Sequence, residues 1–311
     1  MEAMGEFSKY VGEVGEEIVN DFLNLFGWKN LCNNKQLDCC VGEHDKQTHG
    51  IDALFVYNSM LQKQSLVSVV VSAKYSSTPY KKVKSTFRSH FKDLAHTIEC
   101  YSKSQLKRTI TKKFPGSSRK EDIGVLFYLN NDESESNDNI KSEIISHRID
   151  SNLKFNAIHL IDNSRAKFLY NSINFIKNKH KEISFFCLNT TLNVSSSVRH
   201  SKIMPVEYIT SPIIPISVPD DNGRKFILIC DFNFSKESLA LVYKLARKLC
   251  SDFASHYEIY FNKYNKLTDS PAVAEVKMAQ AFDDDFENAI GDITLIVDTY
   301  NSNFRSVSDE K

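Results

Sequence analysis

Residues 49–75, HGIDALFVYNSMLQKQSLVSVVVSAKY, hold two apolar runs parted by a polar stretch, and this arrangement restricts the fold more than any other part of the chain. Apolar runs of this length bounded by turn residues read as strands, so a hairpin is expected with arms at 51–58 and 66–75. An acid, Asp52, opens the first arm, and a lysine, Lys74, closes the second. Side chains alternate along a strand, which puts Ser72 and Lys74 on one face and Val71 and Ala73 on the other. A lysine beside so apolar a run has two explanations, a strand end reaching solvent or a functional pocket. Asp52 taken alone fits a turn-to-strand boundary, where Asp is common.

The preceding segment adds carboxylates. Residues 8–27 read as a helix in which Val11, Val14, Ile18, Phe22, Leu25 and Phe26 form one apolar stripe. Glu16 falls on the margin of that stripe beside Leu23 and can reach inward, with Glu13 and Glu17 nearby. Gly12 and Gly15 each cost about 1 kcal/mol relative to Ala in a helix interior, which suggests that the backbone approaches something closely there.

Beyond the hairpin, residues 80–108 read as one or two basic helices, giving the order helix, strand, strand, helix. GVLFYL (124–129) and NAIHLI (156–161) read as short buried strands, separated by an acidic low-complexity loop, NNDESESNDN, expected to be mobile. The helical pattern at 166–180 and the strand ISFFCL (183–188) are expected to extend the same sheet, giving a first domain over 1–205. The stretch 205–220 holds four of the seven prolines, and beyond it strand and helix patterns alternate as a βαβαβ module, a second domain over 206–311.

Taken in order, these pieces resemble the PD-(D/E)XK nuclease superfamily, in particular its restriction-endonuclease-like and junction-resolvase-like members. GEVGEEIVNDFLNLFGW is similar to their opening helix, HGIDALFVY to the strand with the metal-binding Asp, and VSVVVSAKY to the strand with the (D/E)-x-K signature. The likeness covers residues 8–75. It implies an α/β fold, a restriction-endonuclease-like core with a mixed central sheet flanked by helices, followed here by the smaller C-terminal α/β module. It also implies a catalytic set of Glu16, Asp52 and Lys74, with Asp52 and Glu16 holding Mg²⁺ or Mn²⁺, and His49, Ser72 and Glu13 around them. One position departs from the pattern: Ser72 stands where the family places its second strand acid, and a serine lacks the charge that attracts a hard cation. Either Glu16 supplies the missing carboxylate or the site is catalytically dead.

The chain is formally neutral overall, so basicity as a whole gives no argument for nucleic acid, but its distribution does. Between Lys81 and Lys120 twelve Lys or Arg face only Asp93 and Glu99, a net charge of +10. Lys81, Lys82, Lys84, Arg88 and Lys92 are the candidate DNA contacts, since such side chains bind phosphates without regard to sequence. Phe87, Phe91 and Phe114 are interleaved, either as platforms for unpaired bases or as core residues of a solvated helix.

Other signals are weaker. Cys32, Cys39, Cys40, His44 and His49 fall within eighteen residues, but the spacing fits no standard zinc finger, ribbon or knuckle. Buried thiols and an exposed loop are expected instead. Seven cysteines, an odd number with two adjacent, do not form the framework of a small secreted domain. AFDDDFENA (281–289) reads as an acidic helix surface, and Ser235 as a helix N-cap. With no long apolar run and no secretory signal, a cytoplasmic protein without membrane contact is expected.

The resemblance thus implies a metal-dependent DNA endonuclease of an anti-phage or restriction system, acting as a homodimer or as a heterodimer with a second nuclease-like subunit. The alternative is a catalytically inactive subunit of the same fold that binds DNA or a partner nuclease. A third reading, an assembly protein whose basic stretch meets an acidic partner, ranks behind both.

Overall fold

A computed structural model describes residues 2–29, 32–131, 140–145, 149–187, 200–220, 223–250, 254, 256–281 and 294–301. Of the acidic stretches at 130–139 and 281–289, residues 132–139 and 282–289 lie outside the described residues. The chain forms two compact units, Met1–Lys167 and Phe168–Lys311.

The first unit runs α1 (Glu2–Leu25), β1 (Cys32–Asp38), β2 (Thr48–Asn58), β3 (Ser65–Ser76), α2 (Val83–Lys103), α3 (Gln105–Thr111), β4 (Arg119–Asn130), α4 (Lys141–Ile144) and β5 (Ala157–Ile161). Its five-stranded sheet has the order β1-β2-β3-β4-β5. The β1–β2 and β2–β3 pairs are antiparallel; β3–β4 and β4–β5 are parallel. This is the mixed, helix-flanked sheet of a restriction-endonuclease-like fold.

Helices cover both faces of the sheet. On one face Phe22 of α1 meets Phe127 of β4 with ring centroids 5.8 Å apart, and Trp28, just past α1, stacks on Phe55 of β2 at 5.4 Å. On the other face Phe87, Phe91, Leu94 and Ile98 of α2 pack on Val70, Leu126 and Tyr128. Double coverage explains why SLVSVVV shows no polar alternation: both sides of β3 are core.

β1 is absent from the sequence reading. Its residues, CNNKQLD, bury only Leu37, because β1 is the outermost strand and has little apolar surface to hide.

The expected boundary at residue 205 is corrected by strand pairing. α5 (Asn163–Lys179) spans the junction between the units. β6 (Ser184–Phe186), expected to extend the first sheet, pairs antiparallel with β8 (Ile213–Asp220) in a second sheet. That sheet has the order β11-β10-β9-β8-β6-β7, with β7 at His200–Ser201. The second half of the proline-rich stretch is therefore a strand of this sheet. β6 pairs with β8 only at Ile216 and Ser217, so Pro215 and Pro219 fall outside that ladder, where a missing N–H costs nothing.

The βαβαβ module is present: β9 (Gly223–Cys230), α6 (Lys236–Cys250), β10 (His256–Phe261), α7 (Lys266–Ala281) and β11 (Thr294–Thr299), with the three strands parallel. Its core joins Leu239, Val242 and Ala246 of α6 to Phe226, Leu228 and Ile259 of the sheet. Ser235 caps α6 as expected, accepting from the Ser238 backbone N–H at 3.1 Å.

Candidate active site

Two devices bring a carboxylate of α1 and one of the hairpin together. The first is Gly15: a Cβ there would lie 2.5 Å from Cβ of Tyr75 on β3, so only glycine lets the helix backbone approach this closely. Gly12, from which the same was expected, faces open space. The second is a change of phase in β2. Ile51 and Leu54 both pack in the core under α2, although residues three apart on a regular strand face opposite ways. Opposite them, between the pairs Asn33↔Ala53 and Lys35↔Ile51, Asn34 has a left-handed backbone, φ 50°. Asp52 sits at this irregularity, just beyond the β2–β3 ladder that ends at Ala53↔Val71.

The irregularity turns the Asp52 carboxylate in between the strands. Its Oδ2 accepts a hydrogen bond from the Ala73 backbone N–H at 2.6 Å. Glu16, one residue past Gly15, presents its carboxylate to the same place, and its Oε2 accepts from Nδ2 of Asn34 at 3.3 Å. The two acids line a pocket of about 30 Å³ together with Asn20, Asn33, Asn34 and Ala73. That volume suits a water or a bare ion. Two carboxylates and three amides form a set of oxygen donors, the chemistry that hard divalent cations such as Mg²⁺ prefer. The residues present therefore fit such a metal.

Lys74 faces elsewhere. In the parallel ladder it pairs with Tyr128, while Ala73 pairs with Phe127. Phe127 packs on Phe22 of α1, and Tyr128 meets Phe87 of α2. Paired residues share a face, so Lys74 stands on the α2 side of the sheet. Burial holds His90 of α2 below the usual histidine range, and the charge of Lys74 lowers it further.

Of the three residues expected around the site, Ser72 pairs with Leu126 on that same face. Glu13 lies in an exposed pair with Lys9 at 3.7 Å. His49 is buried beside His44, with Nε2 at 3.4 Å from Nδ1 of His44. Asn20, Asn33 and Asn34 were missed: lone amides in a helix and an edge strand carry no motif, and only the fold gathers them.

The basic helix is exposed at Lys81, Lys82, Lys84, Arg88 and Lys92. Among the described residues none of the five is in an ion pair, whereas Lys103 is bonded to Glu99 and Lys107 to Asp122. The first turn of α2 has no acidic residue, and Lys82 occupies its N-cap without a capping side-chain bond. Cations at the positive end of a helix dipole repel it, so this end concentrates positive potential. Phe87 and Phe91 are core residues, 7% and 8% exposed, and are not base platforms.

The model of the GAPS4 protein PD-(D/E)XK nuclease domain matches residues 4–165, just over half of the chain. The chain belongs to this family. The match ends within two residues of the boundary between the compact units, so the GAPS4 nuclease domain and the first unit coincide. No curated protein and no solved structure matches the chain. Membership in the GAPS4 family gives the first unit a nuclease fold and implies nucleic acid as its substrate class; PD-(D/E)XK nucleases generally use divalent metals. No helix among the described residues is long and apolar enough to cross a membrane.

Proposed function

We propose that this protein is a metal-dependent DNA endonuclease of an anti-phage defence or restriction system. The observation that carries the reading is the convergence of Glu16 and Asp52 on one small pocket in a GAPS4-family nuclease domain. Glu16 replaces the strand acid lost at Ser72, and with Asp52 it holds Mg²⁺ or Mn²⁺. When bound, the metal neutralises charge on the scissile phosphate and activates water.

The remaining work belongs to the chain. The Ala73 N–H fixes the Asp52 carboxylate, and the Asn34 amide fixes that of Glu16, so both are oriented before substrate arrives. Lys74 stabilises negative charge developing on the phosphate from the α2 side. Lys81, Lys82, Lys84, Arg88 and Lys92 hold the DNA backbone. Cutting both strands of a duplex with one site per chain calls for two sites, hence a homodimer or a second nuclease-like subunit.

The test is cleavage of supercoiled and linear DNA by the purified full chain with Mg²⁺, Mn²⁺ or EDTA, comparing wild type with Glu16→Gln, Asp52→Asn and Lys74→Ala. Metal-dependent nicking lost in all three variants is the expected result.

The face occupied by Lys74 favours a second reading. If the lysine never meets the carboxylates, the domain binds DNA or a partner nuclease without cutting. Wild type then shows no cleavage under any metal, alone or with a co-encoded neighbour, while DNA binding persists.

A further inference from the structure

The cysteines and histidines between β1 and β2 do not form the exposed loop their spacing suggests. β1 ends at Asp38, and the connection to β2 is pinned by a hydrogen bond from the Cys39 N–H to the Gln47 carbonyl at 2.8 Å. The connection folds inward over α2, so that His44 is 7% and His49 2% exposed. α2 contributes Cys100, 1% exposed and more than fifty residues from His44 in sequence.

One ligand atom from each of Cys39, His44, His49 and Cys100 lies within 4.8 Å of all the others. The individual separations are informative. The two sulfurs are 3.7 Å apart; His44 Nδ1 is 3.5 Å from each of them and 3.4 Å from His49 Nε2. A tetrahedral zinc with Zn–S of about 2.3 Å and Zn–N of about 2.0–2.1 Å requires edges of about 3.8 Å for S···S, 3.5–3.6 Å for S···N and 3.3–3.4 Å for N···N. These four of the six separations match those edges, and the two from His49 to the sulfurs lie within 4.8 Å.

Hydrogen bonding alone does not account for the cluster. His44 Nδ1 has a single in-plane lone pair or proton, yet three heteroatoms converge on it. His49 Nδ1 is buried with no hydrogen-bond partner among the described residues, so the placement of that ring rests on what its Nε2 meets. The other nitrogen of His44, Nε2, is 3.4 Å from Oε2 of Glu99, and the His96 ring stacks on His44 at 3.8 Å. A carboxylate behind a histidine is the usual support of a metal-bound imidazole, fixing its tautomer and raising its basicity.

The geometry points to a structural zinc site in which Cys39, His44, His49 and Cys100 hold one Zn²⁺. Four protein ligands in a buried tetrahedron leave no open position, so the ion is a cross-link and not a catalyst. It ties the β1–β2 connection to α2. Because His49 is three residues before Asp52 on β2, the same ion braces the strand that carries Asp52 against the helix that carries the basic side chains. The site is separate from the oxygen pocket and stands whether or not that pocket cuts DNA.

The test is metal analysis of the full chain grown with zinc and purified without chelator, beside cobalt substitution of the same protein. About one zinc per chain is expected, and Co²⁺ should give visible ligand-field bands of a tetrahedral site with near-ultraviolet thiolate charge transfer. Cys100→Ser and His49→Ala should lose at least about 10-fold in zinc affinity. Cys40→Ser should keep the zinc although its sulfur also lies 3.7 Å from that of Cys100. Asp52→Asn should keep it too. Should Cys100→Ser fail to fold, the cobalt spectrum of wild type and the zinc content of Cys40→Ser still decide. A wild-type chain that melts cooperatively with less than about 0.2 zinc and no tetrahedral cobalt spectrum would overturn the site, as would equal zinc retention in Cys100→Ser and His49→Ala. A disulfide at Cys100 in the purified protein overturns it as well.

Discussion

The Ala73 backbone N–H donates to Oδ2 of Asp52 at 2.6 Å, a main-chain bond that fixes an acid at the point where the β2–β3 ladder stops. Asn at position 52 keeps an oxygen for that bond and removes only the charge. Asp52→Asn should therefore melt within about 1 kcal/mol of wild type while metal-dependent cleavage falls at least about 100-fold. Calorimetry and a nicking time course check both halves.

Gly15 and Gly12 sit one turn apart on α1 and should respond oppositely. Gly15→Ala forces a methyl group toward Cβ of Tyr75 and should cost about 1–3 kcal/mol. Gly12→Ala meets nothing and should gain up to about 1 kcal/mol from helix propensity. Paired urea titrations would show the contrast, and equal effects would contradict the close approach of α1 to β3.

The lysines before and within the first turn of α2 should act on salt dependence. With Lys81, Lys82 and Lys84 changed to Ala, the slope of log affinity against log salt should flatten by about 0.9 for each lysine that touches a duplex phosphate. Phe91→Ala, by contrast, should cost about 3–5 kcal/mol of stability and leave the affinity of the folded fraction unchanged. Fluorescence anisotropy over a salt series separates the two.

In the second unit Glu258 is buried, and burial alone would raise its pKa. The Tyr260 hydroxyl at 2.5 Å and the charges of Lys179, Lys225 and His180 outweigh burial and hold it below its ordinary 4.5. A carboxylate with a depressed folded pKa contributes stability above its unfolded pKa and loses it as pH falls through the folded value. Glu258→Gln should cost about 3–5 kcal/mol at neutral pH, and the gap to wild type should narrow below pH 4.5. Melting temperatures from neutral to acid pH measure it.

Legibility followed how local the information was. The apolar runs of β2 and β3 and the stripe of α1 announced themselves because burial acts on each segment in turn. That Glu16 reaches inward was also readable, since the margin of a helix stripe fixes where an acid points, whereas its meeting with Asp52 was implied only by the family resemblance. The side of the sheet on which Lys74 lies was not, because a change of phase at Asp52 breaks the alternation linking the two strands. Cys100 was invisible for a different reason: its partners are distant in sequence, and no local spacing announces a ligand supplied by another element. The pairing of β6 was lost because three buried residues fit either sheet equally well.

β3 and β4 form the longest ladder of the first unit, twelve residues in parallel from Ser65↔Arg119 to Ser76↔Asn130. Parallel neighbours cannot be joined by a tight turn, so the chain must travel from one end of the sheet back to the other, and it does so through α2 and α3. The stretch richest in positive charge is thus also the covalent return path without which the central strands cannot lie side by side. Electrostatics and topology are written into the same forty residues. A form of this domain stripped of that charge must therefore be made by exchanging side chains, because cutting the segment out would unstitch the sheet.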